Sequence, residues 1–86
     1  MVEFDPQKAA ANLKKHGIAL ADAEPVIYDE RALTLEDHAD DEVRSVTVGR
    51  DALRRILVVV WVERGDRVRI ISARPATAKE RQAYES

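Results

Sequence analysis

Apolar and polar residues alternate over three stretches in the second half of the chain, which is the pattern of β-strands. These stretches are residues 44–50, 55–63 and 67–74. The middle stretch is apolar on both faces, which is typical of a central strand covered from two sides. Helices of this chain can cover one side, and we expect another protein chain to cover the side that carries Trp61.

The first half of the chain carries the signals of a helix. Asp5-Pro6 is typical of an N-cap followed by the first helical residue, and Gly17 is typical of a helix stop. We therefore predict a helix from Pro6 to about His16. Its predicted packing face is the set of apolar residues at helical spacing, Ala9, Ala10 and Leu13.

The shorter elements are predicted from weaker patterns. Residues 18–26 predict a second, short helix, while residues 2–4 and 32–36 predict short strands. Residues 37–42 predict an acidic loop. The expected order is an edge strand, two helices, an antiparallel meander and a last helix.

The end of the chain predicts a strand that turns into a helix. Pro75 ends the strand, and Thr77 with Glu80 has the spacing of a capping box that opens the helix. Strict alternation along the strand would place Ser72 and Arg74 on one face and Arg69 on the other. The predicted fold class is α+β: a small antiparallel meander sheet with two N-terminal helices and a C-terminal helix, in one domain over residues 1–86.

Composition narrows the function classes. The chain has no cysteine, which excludes disulfides and thiolate ligands. Its longest apolar run, residues 56–62, is far shorter than the roughly 20 residues that span a bilayer. The first residues lack the layout of a signal peptide, so we expect a cytoplasmic protein and no membrane partner.

Charge is distributed unevenly along the chain. Residues 1–43 carry four Lys/Arg and eleven Asp/Glu, whereas residues 44–86 carry ten and five, so the halves have net charges of −7 and +5. Nine of the ten cations in the second half are arginine, which forks onto phosphate. The second half therefore suits a polyanion or an acidic protein, although solvent-facing strand positions also explain the arginines.

A series of short motifs runs through the chain in a specific order and spacing. They are Phe4-Asp5-Pro6-x-Lys8-Ala9, Asn12, Lys15-His16-Gly17, Asp29, Arg44, Gly49, Val58-Val59-Val60, Glu63-Arg64, Arg69-Ile70-Ile71-Ser72-Ala73-Arg74, Glu80 and Tyr84. With these motifs the whole chain resembles the BrnT toxins, the ribonuclease members of bacterial type II toxin–antitoxin pairs.

The resemblance implies a RelE-like fold and RNA cleavage that inhibits translation. It also implies neutralisation by a cognate BrnA-type antitoxin in a heterotetramer of two toxins and two antitoxins. Operator DNA would be bound only through the antitoxin. No cofactor and no metal site are expected.

Metal-independent RNA cleavage requires stabilisation of the charge that builds up on phosphorus. Arg64, Arg69 and Arg74 are the candidate catalytic residues for this role. Arg74 is placed at a strand end as in RelE-like toxins. Structural ion pairs of Arg69 and Arg74 with Glu63 and Glu80 are the alternative.

The reaction also requires proton transfer, for which His16, Glu80 and Tyr84 are the catalytic candidates. Histidine exchanges protons near neutral pH, but His16 also suits the C-terminal end of a helix. Glu80 is equally explained as the capping-box carboxylate. Tyr84 resembles the C-terminal tyrosine of RelE-like toxins, and it can also dock a helix that has little other apolar surface.

Further cations are candidates for binding the RNA backbone: Lys8, Lys14, Lys15, Arg44, Arg67 and Arg81. The two lysines before His16 also suit the negative end of the helix dipole. A different function remains open, a non-catalytic binding module whose basic face docks an acidic protein or nucleic acid.

Overall fold

A computed structural model describes residues 2–39 and 41–86 as an α+β domain, as predicted. In chain order its elements are β1 (Val2–Glu3), α1 (Pro6–His16), a 3-10 turn (Leu20–Ala23), α2 (Glu24–Tyr28), β2 (Leu33–Ala39), β3 (Glu42–Arg50), β4 (Ile56–Arg64), β5 (Arg67–Pro75) and α3 (Ala78–Glu85).

The strands form one sheet in the order β1-β5-β4-β3-β2. Strands β2 to β5 are the predicted antiparallel meander. Strand β1 pairs in parallel with the start of β5, where Val2 lies opposite Val68 and Glu3 opposite Arg69. The sheet is therefore mixed, and β1 covers only the first part of the outer edge of β5.

Helix α1 has the predicted ends. The Asp5 carboxylate accepts a hydrogen bond from the Gln7 N–H at 2.8 Å. Gly17 has φ 72°, and its N–H donates to the Leu13 carbonyl. A left-handed backbone of this kind favours glycine, so the helix ends where the sequence predicts.

The predicted packing face of α1 is wrong at two of its three positions, since only Ala9 packs against the core. Asn12 is buried, whereas Leu13 is 53% exposed and Ala10 is exposed. The Asn12 side chain donates to the carbonyls of Ile18 and Ala73 at 2.9 and 2.8 Å and accepts from the Ala73 N–H at 3.1 Å. It takes the place of a neighbouring strand on β5, and these hydrogen bonds offset the cost of burying an amide.

Three other boundaries differ from the predictions. Instead of one helix over residues 18–26, the chain forms the 3-10 turn from Leu20 and then α2, whose first turn contains Pro25. The predicted strand at 32–36 extends to Ala39, so most of the predicted acidic loop belongs to the hairpin of β2 and β3. Asp40 lies outside the described residues.

The core lies between the sheet and the layer formed by α1, the 3-10 turn and α2. Its buried cluster consists of Ile18, Leu20, Ala23, Val26, Leu57, Val59, Ile70 and Ala73. Trp61 packs against this cluster, so the helices of the chain cover its side, contrary to expectation. Its indole N–H donates to the buried Thr47 hydroxyl at 2.8 Å.

We predict that Asn12→Ala lowers the free energy of unfolding by about 3 kcal/mol, because it leaves buried backbone groups of Ile18 and Ala73 without partners. The matched variant Leu13→Ala should cost less than about 1 kcal/mol, because Leu13 is half exposed. Urea unfolding of both variants measures the difference. A larger loss for Leu13→Ala would contradict this account of α1.

Candidate active site

Strand β5 contains one more residue than its partner β4. Val60 lies opposite Ser72 and Trp61 opposite Ile70, so Ile71 has no partner in this register. An extra residue of this kind is a β-bulge, which reverses the alternation beyond it. Ile70 and Ala73 are both in the core cluster, although strict alternation would have placed them on opposite faces.

The bulge places the two candidate arginines of β5 on the same face. Arg69 lies opposite Val62, and Arg74 lies opposite Val58. Val58 and Val62 are four residues apart on β4 and therefore lie on the same face of the sheet. Directly opposed residues of an antiparallel pair share a face. The prediction that Arg69 and Arg74 point to opposite faces is therefore wrong, because it assumed unbroken alternation.

Six arginines share the face of the sheet that is opposite the core: Arg44, Arg50, Arg64, Arg67, Arg69 and Arg74. We call this surface the arginine face. Its centre is a half-buried floor of Val46, Val60 and Ser72, which lie side by side on β3, β4 and β5. A basic rim around a small polar and apolar floor suits a phosphate and the nucleoside attached to it.

Three of these arginines have loose acidic neighbours. Glu3 lies 3.4 Å from Arg67 and 3.6 Å from Arg69, and Glu42 lies 3.9 Å from Arg44. Ion pairs with this much solvent access contribute little to stability. A phosphate, which accepts more hydrogen bonds per group, can therefore replace these carboxylates.

Arg74 is held more firmly than the others. Its two terminal nitrogens donate to the two carboxylate oxygens of Glu80 at 2.8 and 2.9 Å. Glu80 also accepts from the Thr77 N–H, and the Thr77 hydroxyl accepts from the Glu80 N–H, which is the predicted capping box. The Arg74 hydrogen bonds and the cap lower the pKa of Glu80 to about 2, so it is a carboxylate at neutral pH.

Tyr84 is the buried residue of α3, and its hydroxyl donates to Asp29 at 2.5 Å. Asp29 also accepts from the N–H groups of Arg31 and Arg50. Burial raises the pKa of Asp29, but these hydrogen bonds outweigh it and hold the pKa below its usual value. The bond to Asp29 raises the pKa of Tyr84, which keeps the phenol protonated.

His16 lies on α1 and borders a cleft of about 290 Å³ at the outer edge of β5. We call this cleft the edge cleft. Its lining includes Lys8, Asn12, Lys15, His16, Ile71 and Ser72. Lys14 lies on the same helix but does not line it. Arg81 lies on α3, where its guanidinium donates to the Ala76 carbonyl at 3.0 Å.

Comparison with known proteins decides the family. A family model described as "Ribonuclease toxin, BrnT, of type II toxin-antitoxin system" matches residues 4–80. The chain belongs to the BrnT family. It is thus a ribonuclease toxin of a type II toxin–antitoxin system, a class that implies an antitoxin partner.

The fold agrees with this family. The crystal structure of the Brucella abortus ribonuclease toxin BrnT superposes with a TM-score of 0.73 at 26% sequence identity. The match covers 88% of this chain and 95% of the Brucella chain. A comparison with curated proteins gave no match.

Sequence reasoning missed three residues that shape the site of this BrnT family member. Glu3 neighbours Arg67 and Arg69. Ser72 lies on the floor between Arg69 and Arg74, and Asp29 accepts a hydrogen bond from Tyr84. Asp29 and Ser72 carried a signal, since both were among the family motifs, whereas Glu3 carried none. Within residues 2–39 and 41–86, no three His, Cys, Asp or Glu side chains are grouped to hold a metal ion. No helix in that part of the chain is long and apolar enough to cross a membrane.

We predict that Glu80→Gln makes the free energy of unfolding less dependent on pH in the acid range. The folded-state pKa of about 2 is below the ordinary 4.5, so the ion pair stabilises the fold above pH 4.5 and this stabilisation is lost as pH falls towards 2. The loss should be about 1 kcal/mol after solvent screening. Glutamine retains an acceptor for the helix cap but loses the charge.

Urea unfolding between pH 2 and 6 measures this difference. Glu85→Gln, an exposed position on the same helix, is the control with the same charge change. Parallel curves for the wild type and Glu80→Gln would show that the pair with Arg74 contributes nothing.

Proposed function

We propose that this BrnT family member cleaves RNA by a metal-independent transesterification and thereby inhibits translation. The observation that carries the proposal is the bulge in β5, which brings Arg69, Ser72 and Arg74 onto one face of the sheet. Two guanidinium groups that flank a hydroxyl on a rigid strand can hold a phosphate from two sides. This arrangement supplies the charge that the reaction requires at phosphorus.

In the proposed reaction the RNA 2′-hydroxyl attacks the adjacent phosphorus and the bond from phosphorus to the 5′-oxygen breaks. The products are a 2′,3′-cyclic phosphate and a 5′-hydroxyl. The 2′-hydroxyl loses its proton to a base, and the leaving 5′-oxygen gains one from an acid. Arg69 and Arg74 stabilise the negative charge of the transition state.

His16 is the proposed proton carrier. It is half-buried beside the edge cleft, and Ser72 is shared between that cleft and the arginine face. A phosphate above Ser72 therefore lies on the side of β5 that His16 borders. An imidazole can act as a general acid or a general base, and His16 is proposed to take one of these two roles.

The other predicted catalytic residues receive supporting roles. The ionised Glu80 orients Arg74, and Tyr84 anchors α3 through Asp29. Arg64 and Arg67 lie opposite each other beside the β4–β5 turn, where they can bind the RNA backbone together with Arg44.

A BrnA-type antitoxin is the proposed partner, in an assembly of two toxins and two antitoxins that binds operator DNA through the antitoxin. Membership of a type II toxin–antitoxin family supports an antitoxin, and the motif resemblance supports its type. An antitoxin that covers the arginine face would block RNA. The cytoplasm is the proposed location, because translated RNA is found there.

We predict that the purified protein shortens RNA in excess EDTA and leaves 2′,3′-cyclic phosphate ends. Arg74→Ala and Arg69→Ala should each lower the cleavage rate by about 100-fold, because each removes a charge that stabilises the transition state. Arg54→Ala, in the exposed turn between β3 and β4, is the control and should cleave like the wild type. Gel analysis of product ends measures the effect.

RNA that stays intact with the wild-type protein in EDTA, in the presence and absence of ribosomes, would contradict metal-independent cleavage. If that protein still binds RNA or an acidic protein, the binding-module alternative is correct. Equal cleavage by Arg74→Ala, Arg69→Ala and the wild type would move the active site away from the arginine face.

A further inference from the structure

We propose that the edge cleft is a second RNA subsite, which binds one ribonucleotide of a single strand next to the phosphate held on the arginine face. This inference rests on the proposed ribonuclease function and adds a substrate-binding surface on the opposite side of β5. The predicted lysines of α1 would then bind RNA unequally. Lys8 and Lys15 would contact it, whereas Lys14 would not.

The cleft exists because the outer edge of β5 is only partly covered. Strand β1 pairs with Val68 and Arg69 and then ends. Asn12 binds both backbone groups of Ala73. Between these two covered positions lies the bulge, and Ile71 and Ser72 there form the sheet side of the cleft.

The wall formed by α1 is basic. Lys8 and Lys15 are seven residues apart, which places them two turns apart on one side of the helix, and His16 follows. Among the described residues that line the cleft, none is acidic. The first half of the chain as a whole is acidic, with eleven Asp/Glu and only four Lys/Arg. Two of those four cations border this one cleft.

The cleft also has apolar lining. Ala11 and Ile71 contribute to it between the basic residues. A volume of about 290 Å³ is at the lower end for small-molecule sites, which suits one nucleotide and excludes a duplex. The lysines would contact its phosphate, and the apolar part would contact its base.

Ser72 makes the cleft continuous with the arginine face. It lies on the floor of that face opposite Val60, and it also lines the cleft. An RNA strand that crosses the edge of β5 at Ser72 therefore occupies both surfaces. The scissile phosphate would lie between Arg69 and Arg74, and the adjacent nucleotide would lie against α1.

Two neighbouring lysines provide a matched test. Lys14 and Lys15 are both exposed on α1, but only Lys15 lines the cleft. Reversal of either charge changes the net charge equally, and both positions are exposed, so neither variant should unfold the protein. The probe is a fluorescent 2′-O-methyl RNA hexamer, which lacks the attacking hydroxyl and so stays intact.

We predict that Lys15→Glu weakens hexamer binding by about tenfold in fluorescence anisotropy, whereas Lys14→Glu stays within about twofold of the wild type. Lys15→Glu should also reduce the slope of log affinity against log salt concentration by the amount expected for the loss of about one phosphate contact, while Lys14→Glu should leave that slope unchanged. Circular dichroism confirms that both are folded.

Equal weakening by Lys14→Glu and Lys15→Glu would overturn the subsite, because it would indicate non-specific attraction. If Arg74→Ala abolishes cleavage in that case, the proposed function stands and only the subsite falls. If the wild-type protein neither binds the hexamer nor cleaves RNA, both proposals fall.

Discussion

The β-bulge at Ile71 is the feature on which the rest of the site depends. One unpaired residue lets β5 contribute Ile70 and Ala73 to the core and Arg69, Ser72 and Arg74 to the opposite face. Without it, one of the two arginines would point into the layer of helices. The bulge also lies beyond the end of β1, at a part of the β5 edge that β1 does not cover.

Polar contacts, rather than apolar faces, hold two of the three helices on this sheet. Asn12 ties α1 to Ala73, while the Arg74–Glu80 pair and the Tyr84–Asp29 hydrogen bond tie α3 to the strand end and to the segment after α2. A chain of this size has too little core to hold every element by burial alone. As a consequence, the residues that hold the helices are also neighbours of the candidate site.

Much of the fold could be predicted from the sequence, because the strands and caps have local signals. Asp5 and Gly17 define α1, and Thr77 with Glu80 defines the start of α3. These are contacts between residues a few positions apart. The meander and the family followed from alternation and from the motifs in the same way.

The parts that could not be predicted depend on contacts between distant residues. Nothing near Ile71 marks a bulge, since a run of Ile and Val fits regular alternation equally well. Asn12 looks like a solvent-facing residue until Ala73, 61 positions away, is placed beside it. The arginines could be proposed as phosphate-binding residues from the sequence, but the face of the sheet that they share depends on the strand register.

Binding of the RNA substrate to the arginine face can be measured by NMR titration of the ¹⁵N-labelled protein with an uncleavable 2′-O-methyl RNA. We predict that the changes in amide chemical shift concentrate at the centre of β3, β4 and β5, around Val46, Val60 and Ser72, and extend to the C-terminal turn of α1. Shifts confined to α2 and the turn that contains Asp51, with no change on the floor of the arginine face, would contradict it.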